Sequence, residues 1–147
     1  MTTQSTSPTT QMADFVELSR LKNRWSIAMD DALRTGTEDD AERAAAMWTE
    51  DAHLDLGTFG VFDGRAGVAR FLTEFAPMFV WTRHFLTNPV IAADGDDATG
   101  CWYVQMYALA PDVRTPDVVV GVHRDRYVRL DGTWRLKEQV TELFPTQ

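Results

Sequence analysis

Cysteine occurs once in this chain of 147 residues, as Cys101. One cysteine excludes a disulfide framework and a cysteine-based metal site within the chain. Its expected place is as a small core residue. Histidine is also scarce: His53, His84 and His123 lie far apart and none falls at an H-x-x-x-H spacing. No metal and no cofactor is expected. Cations are in deficit, with 14 Lys and Arg against 22 Asp and Glu and a formal net charge of -8. That balance argues against nucleic acid and against an anionic membrane as partners, because both call for clustered Lys and Arg. The acidity reads as solubility. No apolar run approaches the length that spans a bilayer. The N-terminus has no basic region followed by an apolar one, so the expected location is cytoplasmic.

What the chain does have is apolar and aromatic bulk. Hydrophobic residues make up 44% and aromatics 11%, with five Trp and eight Phe, enough for one domain around one core. Such a supply suits an aromatic-lined cavity or simply a large aromatic core. Residues 1–11, rich in Ser, Thr, Gln and Pro, read as a disordered tail, leaving 12–147 as a single domain.

The periodicity of Phe15, Leu18, Leu21, Trp25 and Met29 predicts a helix running to about Leu33 and stopping near Thr35-Gly36. Thr37-Glu38-Asp39-Asp40 opens a second helix, with Ala41, Ala44, Ala45 and Trp48 on its apolar face. From residue 52 the period becomes two, and Gly57 and Gly60 punctuate a short hairpin ending at Phe62. Asp63-Gly64 leads into a short helix that turns Val68, Phe71, Leu72 and Phe75 inward. Four β segments follow, over roughly 80–93, 98–110, 117–130 and 133–143. Asp94-Gly95-Asp96-Asp97 and Asp131-Gly132-Thr133 are tight turns between them, and Pro111 to Pro116 is a looser connection. This order is that of an α+β domain. Its long twisted antiparallel sheet curls around the N-terminal helices and leaves an apolar pocket between its concave face and the first helix.

Strand parity indicates what faces that pocket. Trp102, Val104, Met106 and Ala108 share the more apolar face of their strand. Val119, Gly121, His123 and Asp125 share a face of the next, and Gln139, Thr141 and Leu143 a face of the last. His84 sits in what reads as a buried strand, either as a satisfied core residue or as a general base facing the cavity. Asp30 lies on the first helix between Ile27 and Leu33, on a stripe that favours partial burial, whereas its neighbour Asp31 reads as solvated. A partly buried aspartate beside a histidine fixes the imidazole tautomer and stabilises the imidazolium that forms when the ring takes a proton. The outer sheet face carries Tyr103, Tyr107, Val120 and Val122, which suggests a homodimer through the sheet.

Five segments together carry a resemblance. They are Arg24-Trp25-Ser26-Ile27-Ala28-Met29-Asp30, Met47-Trp48-Thr49-Glu50-Asp51-Ala52, Phe62-Asp63-Gly64-Arg65, His84-Phe85-Leu86-Thr87-Asn88 and Asp131-Gly132-Thr133-Trp134-Arg135. In this order the chain, over about residues 13 to 144, resembles the SnoaL-like branch of the nuclear-transport-factor-2-like superfamily. The resemblance implies a cone-shaped α+β fold with a deep apolar pocket. Scytalone dehydratase and hexachlorocyclohexane dehydrochlorinase in that family use an Asp–His dyad, and Asp30 and His84 fall on its two positions. Departures are equally specific. Trp25 and Gln139 stand where the dehydrochlorinase has lysine and arginine, so dechlorination is not expected. Met29, Leu56 and Ala108 stand where scytalone dehydratase has two tyrosines and a second histidine, and its pocket asparagine falls near His123. The ketosteroid-isomerase base and oxyanion-hole tyrosine fall on Leu56 and Trp25.

The expected function is a cofactor-independent lyase or isomerase, of dehydratase or cyclase type. It would abstract a proton from a small, largely apolar molecule, polyketide-like or steroid-like. His84 is the expected base and Asp30 its partner. His123 is the expected polar anchor, and Trp25, Leu54, Phe79, Trp102, Val104, Met106 and Gln139 shape the pocket. The alternative is a non-catalytic ligand-binding or interaction domain of the same fold.

Overall fold

A computed structural model of the chain describes residues 7–145. Helix α1 spans Pro8–Thr35. Ser7 caps it by accepting the Thr10 N–H at 3.3 Å, and Pro8 occupies a first-turn position where a missing N–H costs nothing. Residues 8–11 are therefore helical and not part of a tail. The first six residues of the expected tail lie outside the described residues. Gly36 ends the helix in the left-handed region, φ 66°, and returns its N–H to the Ala32 carbonyl at 2.8 Å.

Helix α2, Glu38–Ala45, starts at Thr37, whose hydroxyl accepts the Asp40 N–H at 3.3 Å. The acids Glu38, Asp39 and Asp40 fill the first turn, where the helix dipole favours negative charge. The spacing places Trp48 on this helix, but it instead opens strand β1, Trp48–Asp55. Its carbonyl is held by the Arg65 guanidinium at 3.0 and 2.7 Å, which pins the strand's start to the following helix. A 3-10 turn, Gly57–Phe59, leads to β2, Val61–Asp63. Helix α3, Gly64–Phe75, and a second 3-10 turn, Ala76–Met78, follow. Four long strands complete the chain: β3 Trp81–Asp94, β4 Asp97–Leu109, β5 Asp117–Leu130 and β6 Thr133–Leu143.

The six strands form one curved sheet in the order β2-β1-β6-β5-β4-β3. All neighbours are antiparallel except β1 and β6, which run parallel. The edges β2 and β3 are not joined, so the sheet is open and the fold is α+β. Helix α1 lies against β3 and β6, and α3 against β1. The main core sits between them, where Trp25 meets Trp48 edge-on with ring centroids 5.1 Å apart.

The buried stripe of α1 differs from the expected one. Ile27 is 63% exposed and Phe15 37%. The inward residues are Leu18, Lys22, Trp25, Ser26, Met29, Asp30 and Leu33. Polar Lys22, Ser26 and Asp30 thus share the core-facing side, which an apolar-only count passes over. Cys101 is half-buried, not fully in the core. Val122, expected on the outer face, is buried on a central strand between its cross-strand partners Tyr103 and Glu142. No helix among the described residues is long and apolar enough to cross a membrane.

Candidate functional site

Asp30 reaches β3 from α1 and accepts three hydrogen bonds there. The Thr82 hydroxyl donates to Oδ1 at 2.7 Å, the His84 backbone N–H to Oδ2 at 3.0 Å, and His84 Nδ1 lies 2.6 Å from Oδ1. Burial opposes ionisation of this carboxyl. The bond and charge of His84, with the Thr82 hydroxyl and the His84 N–H, outweigh burial and hold it below the ordinary carboxylate range. An ionised Asp30 has no proton to give, so Nδ1 donates to it, and in the neutral ring the lone pair falls on Nε2. Asp31, expected to be solvated, has its side chain 55% exposed, 3.8 Å from Arg34.

His84 lines a cavity of about 650 Å³ of empty space, its open mouth included. Met29 and Leu33 of α1 and Phe71 and Phe75 of α3 form one side. Val104, Met106, Val119 and Leu143 come from the sheet, and Leu56, Phe59 and Phe79 from connections. The polar wall groups are His84, His123, Gln139 and Thr141. Of the residues expected to shape the pocket, Phe79, Val104, Met106, His123 and Gln139 do line it. Trp25, Leu54 and Trp102 do not. Trp25 packs on Trp48, Leu54 is fully buried in the core, and Trp102 turns its indole N–H to the Tyr127 hydroxyl at 3.1 Å. Each points inward on its element, but toward the packed layer beneath the cavity.

His123, on β5, is 5% exposed, and its Nδ1 has no hydrogen-bond partner among the described residues. Burial first, then the charges of Lys22 and His84, push its pKa well below the ordinary histidine value, so it is neutral at pH 7. Beneath it lies a polar network. Lys22, fully buried, donates to Asp125 Oδ1 at 2.9 Å and to Gln139 Oε1 at 2.8 Å. The Tyr127 hydroxyl donates to Asp125 Oδ2 at 2.6 Å. Among the described residues no group of three or more His, Cys, Asp or Glu is placed to hold a metal ion.

The SnoaL-like domain pattern matches residues 10–140. This chain belongs to the SnoaL-like domain family. Solved structures agree at the level of fold. A protein assigned as a scytalone dehydratase, from Novosphingobium aromaticivorans, superposes with a TM-score of 0.81 at 20% identity, over 92% of this chain and 87% of that one. Hexachlorocyclohexane dehydrochlorinase (LinA) Type2 gives 0.78 at 20% identity, over 91% and 87%. ActVI-ORFA from Streptomyces coelicolor gives 0.71 at 22% identity, over 88% and 96%. No curated protein matched the sequence.

Within this SnoaL-like chain, sequence reasoning missed Thr82 and Lys22, and placed Asp125 by strand parity without its partner Lys22. Thr82 carried a weak signal, two residues before His84 and so on the same strand face. Lys22 carried one too: Lys22, Ser26 and Asp30 recur every four residues, a polar line inside a buried stripe. Their partners lie more than fifty residues away along the chain, which no local pattern reveals.

Proposed function

We propose that this SnoaL-like protein is a cofactor-independent lyase or isomerase in which His84 removes a proton from a small, largely apolar substrate. The observation that carries this reading is the 2.6 Å contact between His84 Nδ1 and Asp30 Oδ1, behind a ring that opens on the cavity. Asp30 fixes the tautomer that leaves Nε2 free. When Nε2 takes the proton, the imidazolium forms against a carboxylate already held ionised. His123 stays neutral, because burial first, and then the charges of Lys22 and His84, disfavour its protonation. The proton is then returned to another atom of the substrate, for isomerisation or cyclisation, or to a leaving hydroxyl, for dehydration. Solved relatives described as a dehydratase and a dehydrochlorinase support this class of reaction. With so few polar wall groups, shape governs most of the selection.

The test is a screen of hydroxy-ketones and polyketide-like compounds, run on wild type beside His84→Ala and Asp30→Asn. Each variant should lose about 10²- to 10⁴-fold in turnover. Full activity in both on a confirmed substrate rules out the Asp30–His84 base. A second reading, a ligand-binding domain without catalysis, is favoured by the predominantly apolar cavity wall. Tight binding with no turnover by wild type would select it.

A further inference from the structure

The buried Lys22 is unused in the proton transfer proposed above, and its surroundings give it a defined geometric effect. An ammonium carries three donors and no acceptor. Gln139 must therefore turn its carbonyl oxygen to Lys22 Nζ, 2.8 Å away, and its NH2 group the other way. One N–H of that group goes to Thr141 Oγ1 at 3.3 Å, and Gln139 and Thr141 both line the cavity. Thr141, having accepted this bond, keeps its own hydroxyl hydrogen to give. Lys22 is itself held: Asp125 takes its charge at 2.8 Å, and Asp125 is held by Tyr127, which takes the Trp102 indole N–H. A buried ion pair of this depth adds little net stability over apolar packing. What it does supply is a fixed orientation for the amide above it.

We propose that Lys22 is a positioning residue that locks Gln139 with its NH2 facing Thr141 and the cavity, making this end of the pocket a site for a carbonyl oxygen on the ligand. The substrate class is then an apolar molecule with one ketone-type acceptor. This deepens, and rests on, the reading of the cavity as a substrate site. An acceptor at Gln139 and Thr141 also suits the proposed chemistry, since a proton beside a carbonyl is the acidic one and the enolate oxygen would keep the same two donors.

The test compares 4-tert-butylcyclohexanone with its shape-matched methylene analogue, by calorimetry or NMR titration. Wild type should prefer the ketone by about tenfold or more. Gln139→Glu keeps an oxygen for Lys22 and removes the NH2, so the preference for the ketone over the analogue should fall below about twofold. The double variant Lys22→Met/Asp125→Asn leaves Gln139 in place and removes only what orients it, and the same loss of preference is expected. A measurement on folded wild type guards against that variant failing to fold. The Gln139 NH2 protons should show stronger nuclear Overhauser contacts to Thr141 than to Lys22. Equal affinity for the two probes, no binding of either, a preference that survives Gln139→Glu, or NH2 contacts stronger to Lys22 than to Thr141 would overturn the proposal. Asp30→Asn separates the two ideas. Retained ketone preference with lost turnover upholds both, and retained preference with full turnover overturns the base alone.

Discussion

The fold shifts the protonation of His123 and of Asp30 in different pH windows. Burial and the Lys22 and His84 charges lower the His123 pKa well below 6.5. Above pH 6.5 both folded and unfolded chains hold it neutral, and its share of stability is fully present. As pH falls below that value the unfolded chain takes the proton first, and stability is lost down toward the lowered folded value. His123→Gln should therefore flatten the fall of the thermal midpoint between about pH 6.5 and 5. An unchanged slope in that range would show that His123 titrates normally. Asp30 acts lower. Its folded carboxyl lies below the ordinary 3.8, so its contribution is present above the unfolded value and lost as pH falls through the folded one. Asp30→Asn should weaken the pH dependence of stability below about pH 4. At this scale the Asp30–His84 pairing was legible, because a family resemblance placed both residues. Lys22 was not: a lysine on a helix reads as solvated, and only its partners on β5 and β6 make it a core residue.

At the scale of elements, the turns carried most of the readable signal. Asp-Gly pairs and the parity of β4, β5 and β6 located the hairpins because each is a local steric requirement. The boundary at Trp48 was not local. Its helical spacing to Ala44 and Ala45 competes with β1 pairing to β6, and the Trp48–Leu136 register shows that the tertiary pairing wins. Close approach of strands is likewise invisible in sequence. A side chain at Gly121 would run into the Glu142 carbonyl of β6, so the β5–β6 spacing depends on glycine there. Gly121→Ala should destabilise the fold by about 1–3 kcal/mol, read from denaturant midpoints. A neutral result would show that β6 shifts freely. Trp25→Ala, which removes one ring of the Trp25–Trp48 contact beneath the cavity, should cost about 3–5 kcal/mol. Because Trp25 does not line the cavity, ligand selectivity in the surviving folded fraction should hold. Altered selectivity would place Trp25 among the groups the ligand senses.

For the whole molecule, the open question is what covers the outer face of the sheet. Phe85 and Tyr103 are 54% and 55% exposed, and Phe85 meets Tyr107 edge-on across β3 and β4 at 5.8 Å. Val118 and Val120 extend the patch onto β5, each 38% exposed. Contiguous apolar surface of this kind suits an interaction face, and the homodimer expected from the sequence would cover it about a two-fold axis. Opposing this is charge: each copy carries a formal -8, so association brings two acidic bodies together. The Debye length is about 30 Å at 0.01 M salt and about 8 Å at 0.15 M. Repulsion between whole molecules is therefore strong in dilute buffer and largely screened at physiological ionic strength, while apolar burial is not weakened by salt. A homodimer through this face should thus tighten as salt is raised, opposite to one held by ion pairs. Light scattering across that salt range should show a monomer–dimer equilibrium shifting toward dimer, and Tyr103→Asp should hold the chain monomeric throughout. A wild-type chain that stays monomeric at 0.15 M salt and at concentrations of about 100 μM would remove the dimer, since an interface weaker than that Kd corresponds to less than about 5.5 kcal/mol.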